Sequence, residues 1–182
     1  MEARESTVDY SIAKNQGDYS PIPDGTIVKV KFDIKEGGYN DPEKGWFGGL
    51  ATLGQSGAVY LNTVNTVLTG QYINKKIYNL IGLESPKGPT YKEMGDGYIK
   101  AVLDSTYGLD PNDMSEEARK KRSKKRSELA GLVHLVEVKT VHDMKGNLKN
   151  EIKKVVTPHD IRYHEAMGQK IENDFDDELP TF

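Results

Sequence analysis

The chain has 182 residues, 36% of them hydrophobic and 29% charged, with a formal net charge of −3 and no cysteine. That length makes one domain of ordinary size with polar appendages, and the absence of thiols excludes disulfides and thiolate metal sites. No apolar run approaches the ~18 residues of a membrane span, and Met1-Glu-Ala-Arg-Glu5 lacks the apolar centre of a signal peptide, so the expected location is the cytoplasm.

Residues 1–20 are polar and aperiodic, and read as a flexible arm. Pro21-Ile-Pro23-Asp-Gly25 is a turn signal, because proline fixes φ and Asp-Gly suits a tight reversal. Beyond it Val28, Val30, Phe32 and Ile34 alternate with Lys29, Lys31 and Asp33, the period of a half-buried strand. The glycine-rich stretch 37–49 reads as a loop carrying Tyr39, Trp46 and Phe47, rings either pinned as a lid or exposed for contact. Ala58 to Leu68 makes a second strand by its β-branched and aromatic content, and Lys76 to Ile81 a third.

Gly88-Pro89 and Gly95-Asp-Gly97 then punctuate a loop. Tyr98, Ile99, Val102 and Leu103 fall at helical spacing, and Gly108 closes that helix. Ser115 caps the next, followed by Arg119-Lys-Lys-Arg-Ser-Lys-Lys-Arg126, seven cations in eight residues. Charge on nearly every face keeps that element out of any core. Leu132 to His142 and Leu148 to Thr157, joined by Met144-Lys-Gly-Asn147, form the clearest hairpin. Five strands with a helix between the third and fourth is the order of the OB-fold, a small partly open barrel that often binds oligonucleotides. The expected architecture is mainly β: an OB-like domain over 21–157 with an inserted basic helix, then a polar linker and a disordered acidic tail over 158–182.

A binder of single strands needs cations for phosphates and rings on which bases stack, each stack worth ~1–3 kcal/mol. The ring candidates are Trp46, Tyr39, Phe47, Tyr60, Tyr72 and Tyr78. Trp46 leads, since its loop offers it no evident core, whereas Tyr60 and Tyr78 suit core or cross-strand packing somewhat better than contact. The cation candidates are Lys29, Lys31, Lys75, Lys76, Lys139, Lys153 and Lys154, with Arg119, Lys120, Lys121, Arg122, Lys124, Lys125 and Arg126 of the basic run. A solvated face is the plain alternative for that run, but a polyanion would relieve its self-repulsion.

Catalytic signatures are weak. Gly49 to Ser56 has the glycine spacing of a phosphate-binding loop, yet Gln55 stands where the lysine belongs. His142, His159 and His164 each precede a carboxylate, but adjacent residues on a strand point to opposite faces, and His159 and His164 lie five apart. No catalytic residue, metal or cofactor is expected.

The chain ends Asp174-Phe175-Asp176-Asp177-Glu178-Leu179-Pro180-Thr181-Phe182. Such a segment cannot bury enough surface to fold alone, and it suits a basic pocket on another protein. Residues 172–178 carry a charge of −5, which leaves the remainder at +2. Solubility alone explains the acid but not the aromatic terminus. The segment resembles the acidic tip of bacterial and phage single-stranded DNA-binding proteins, where Asp-Phe-Asp-Asp leads into Pro-Phe; here Thr181 intervenes. Shorter likenesses to phage members of that class are Pro23-Asp24-Gly25, Gly70-Gln71-Tyr72, Asn150-Glu151-Ile152 and Thr157 to Asp160.

The resemblance implies a non-catalytic protein that coats single-stranded DNA. Through Asp174, Phe175, Asp176, Asp177, Glu178, Leu179, Pro180 and Phe182 it would recruit replication, recombination or repair proteins. An OB-like protein–protein adaptor and an RNA binder are the alternatives. No membrane partner is expected, and self-association is left open.

Overall fold

The computed structural model describes residues 7–11 and 20–169. Alternation sets the strands. Along Val59–Val67, for example, Val59, Leu61, Thr63, Asn65 and Val67 are buried while the residues between them are half-buried, the signature of a strand with one face on a core. The described residues form seven strands: β1 (Ile27–Lys35), β2 (Tyr39–Asp41), β3 (Trp46–Leu53), β4 (Val59–Val67), β5 (Lys76–Glu84), β6 (Val133–His142) and β7 (Leu148–Val156). Three helices accompany them: α1 (Thr90–Tyr107), α2 (Glu116–Arg122) and α3 (Tyr163–Met167).

All pairings are antiparallel, and the five long strands run β5-β4-β1-β6-β7. The sheet curls into a half-barrel, so that β5 and β7, at its two ends, come within 8 Å of each other at Cα. Helix α1 packs against β5, β6 and β7. One cluster, with Phe32, Leu61, Ile81, Val102 and Leu103, fills the half-barrel on the α1 side; a second gathers Ile22, Val30, Val67, Ile77 and Val136.

Two differences from the sequence expectation have one cause, the placing of glycines. The stretch 37–49 is not a loop but the hairpin β2–β3, docked on the end of β4 with Thr52 opposite Tyr60 and Leu53 opposite Val59. Gly38, Gly45, Gly48 and Gly49 turn it with positive φ, a region closed to most side chains. The strand count is therefore seven, not five. Helix α1 begins at Thr90 rather than near Tyr98 and runs through Gly95 and Gly97. A Cβ on Gly95 would lie 1.8 Å from the Gly82 carbonyl oxygen, so the glycine that reads as a breaker lets helix and strand touch.

The remaining corrections concern charge. The basic run is not one helix: α2 ends at Arg122, the chain extends at Ser123, and a 3-10 turn follows over Arg126–Leu129. The supposed polar linker after Thr157 packs on the body. Tyr163, Ala166 and Met167 place an apolar side of α3 on Leu135 and Val156, and the Tyr163 hydroxyl donates to the Ser105 carbonyl at 2.5 Å. Residues 174–182, the predicted partner-binding tip, lie outside the described residues, as does most of the predicted arm.

Candidate nucleic-acid interface

Strand register places four of the predicted contact residues on one open face. Lys31 of β1 lies opposite Thr66 of β4, which lies opposite Lys76 of β5. The next row outward on the pleat is Asp33, Val64 and Tyr78, and the one after is Lys35, Asn62 and Leu80. Tyr60 shares this face, opposite Gly82. Tyr78 is 61% and Leu80 53% exposed, so both side chains are open to contact from solvent. Among the described residues Lys76 has no carboxylate partner, and Lys31 has only a loose pair with Asp33 at 3.7 Å.

The face continues past Tyr60 to Tyr91 of α1, whose Cγ lies 2.7 Å from where a Cβ on Gly82 would sit. Tyr60, Tyr91, Met94 and Lys87 line a groove of about 520 Å³ there. Burial, and then Tyr60, pushes the Tyr91 hydroxyl pKa up, which keeps it a neutral donor. Neither Tyr91 nor Lys35 is a sequence candidate. Lys35 continues the parity of Lys31 and so carried a signal; Tyr91, in a glycine-punctuated stretch, carried none.

A second surface joins the other half of the prediction. Hairpin β2–β3, α1 and the chain after α2 enclose a cleft of about 500 Å³. Trp46, Leu50, Ala51, Leu103 and Leu129 supply apolar lining, while Phe47, Lys124, Lys125, Arg126 and Asp96 are polar or exposed residues around it. Thus the aromatic hairpin and the basic run, distant in sequence, meet. Trp46 is not the exposed platform expected of it: it is only 6% exposed, packs in the core with Phe32 and Leu61, and has Tyr39 tilted beside it at 6.1 Å. Lys44 and Arg126 lie 5.4 and 5.8 Å from its centroid. Phe47, 64% exposed, is the free ring of the hairpin. Burial pulls the Arg126 pKa below its ordinary value, and Asp96 opposes that shift.

Several predicted cations are committed elsewhere. Lys29 is buried beneath α3, where its ammonium donates to the Met167 carbonyl at 2.7 Å and to that of Gln169. Lys153 and Lys154 turn to Glu137 at 3.3 and 3.7 Å, beside Arg162 at 3.0 Å. Burial pushes the Glu137 pKa up, but hydrogen bonds from Arg162 and Lys153 outweigh it and hold the carboxyl below its usual range. Lys139 pairs with Glu151 at 3.2 Å, and Lys121 with Glu117 at 3.6 Å. Lys75 donates to the Ser20 carbonyl beside the half-buried Tyr72. The Arg122 Nε donates to Asp104 at 2.6 Å. Arg119, Lys120, Lys124 and Lys125 remain solvent-exposed.

Among the described residues no three His, Asp or Glu side chains converge as metal ligands, and no helix is long and apolar enough to cross a membrane. Compared with known proteins, the chain matches no family model and no curated relative.

Proposed function

We propose that the chain is a non-catalytic single-stranded DNA-binding protein with an OB-like body. The order of its five long strands, with α1 between the third and fourth, supports that assignment. The hairpin β2–β3 is then an insertion between the first two long strands. In such folds the second and third strands bind oligonucleotides, here β4 and β5.

The observation that carries the proposal is the sharing of one solvent face by Tyr78, Tyr60, Lys31 and Lys76, drawn from three adjacent strands. Rings there offer bases a π-face that does not depend on sequence, and the lysines neutralise phosphates. The acidic terminus would pass the coated strand to replication or recombination proteins, a role that rests on its resemblance alone.

Fluorescence anisotropy of labelled oligo(dT) and oligo(rU) at low salt tests this. Binding is expected, stronger for the deoxy strand, and Tyr78→Ala should weaken it roughly tenfold. A chain that leaves oligo(dT) free at low salt is not this protein. A preference for oligo(rU) would make RNA the ligand.

A further inference from the structure

We propose that the cleft between β2–β3 and the basic segment takes a single nucleotide of the bound strand, its base turned inward and its phosphates on the cationic rim. This rests on the single-strand function above and adds a second contact to it, away from the outer sheet face.

Three features of the cleft point to a nucleotide. Its volume of about 500 Å³ falls in the range of small-molecule sites and exceeds what one side chain needs. Its apolar residues, Leu50, Leu103 and Leu129, suit a flat hydrophobic solute, and Phe47 stands exposed at the same site. Of its cations Arg122 is held by Asp104, whereas Lys124, Lys125 and Arg126 have no carboxylate within ion-pair distance among the described residues; Lys124 and Arg126 lie over the rings of Tyr107 and Trp46, from which a phosphate can draw them. An apolar slot beside unpaired cations fits a ligand that is itself half aromatic and half anionic.

The other anionic candidate is an acidic peptide, and the chain's own terminus is one. Asp96 argues against it. Its carboxylate, ion-paired to Lys92, lines the same cleft; it repels a phosphate and a carboxylate alike, but it can accept a hydrogen bond from a ring N–H or exocyclic amino group of a base, a donor that the carboxylate side chains of such a peptide lack. Ser127 adds a hydroxyl that can donate or accept.

The solitary tryptophan makes occupancy readable. Trp46 lines the cleft and has Arg126 over its ring, whereas Tyr78 lies on β5, away from the cleft lining. A base entering the cleft, or a phosphate drawing Arg126 off the indole, changes Trp46 emission; a base stacked on Tyr78 does not.

The experiment titrates the full chain with oligo(dT), following strand anisotropy and Trp46 emission together. The expected result is one midpoint for both signals. Phe47→Ala, and Ser127→Phe as a variant that fills the cleft, should each weaken binding roughly tenfold and abolish the emission change. Tyr78→Ala should weaken binding but keep that change. If the strand binds while Trp46 emission stays constant and both cleft variants bind normally, the nucleotide pocket is wrong and the outer-face function survives. If a synthetic peptide of residues 174–182 alters Trp46 emission and the strand does not, the cleft belongs to the acidic terminus and the proposal falls. If the strand does not bind at all, the function itself fails.

Discussion

The Arg122 guanidinium and the Asp104 carboxylate meet at 2.6 Å, with the Asp104 side chain 1% exposed. Arg122 also donates to the carbonyls of Asp110 and Asp113, and Lys100 reaches the second Asp104 oxygen at 2.7 Å. One member of the basic run is therefore a structural bolt between α1 and α2. Without Arg122 the buried Asp104 keeps Lys100 on one oxygen but loses its hydrogen-bonded cation on the other, which costs about 1.5–3 kcal/mol. Arg122→Ala should lower stability by that amount in urea titration, whereas Lys120→Ala, at an exposed site, should lie within about 0.5 kcal/mol of the parent.

Lys29, a predicted contact cation, is taken up by the fold instead. With its ammonium capping the carbonyl end of α3, Lys29→Met should destabilise the fold by about 1–3 kcal/mol, since hydrogen bonds to charged groups run near that size. The salt slope of strand binding should not change. A shallower slope for the variant would return Lys29 to the phosphate contacts.

His134 is fully buried, with Phe32 at 6.1 Å. Burial pushes its pKa from 6.5 down to about 3. In that window the unfolded chain binds a proton that the folded chain refuses, so stability is complete above about pH 6.5 and falls as pH drops towards 3. Depressed carboxylates, Glu137 and Asp160, contribute in the same direction, but only below their unfolded values near 4. Between pH 6.5 and 4.5 the histidine acts alone among these groups. His134→Leu should flatten the plot of stability against pH there, as read by urea midpoints.

Tyr163→Phe tests the anchoring of α3. Loss of its hydroxyl strips the Ser105 carbonyl of that hydrogen bond, at a cost of about 1–3 kcal/mol. Hydrogen exchange should quicken along α3 before it does in β4.

Alternating strands were legible in the sequence because one face of each meets the core: the period-two pattern of Val28 to Ile34 and the hairpin of Leu132 to His142 with Leu148 to Thr157 reappear, within a residue at the ends of the hairpin, in β1, β6 and β7. The hairpin β2–β3 was not, because its glycines serve positive φ and so dilute the alternation. The early half of α1 was hidden by Gly95, whose lack of a side chain serves packing on Gly82, a contact invisible in one dimension. Of the site, Tyr78 and Lys76 were readable from composition, but only the register of β5 on β4 shows that they join Lys31. Nothing local to Lys29 reveals that α3 covers it, since that contact is made by residues near 167.

In the proposed function Lys31 and Lys76 engage phosphates beside Tyr78 on one open face. The most direct measurement is the slope of log affinity for oligo(dT) against log salt, for the native chain and for the Lys31→Ala, Lys76→Ala pair. Each phosphate neutralised on a single strand contributes about −0.7, so the double variant should shallow the slope by about 1.4. An unchanged slope would take both lysines, and with them the outer face, out of strand binding.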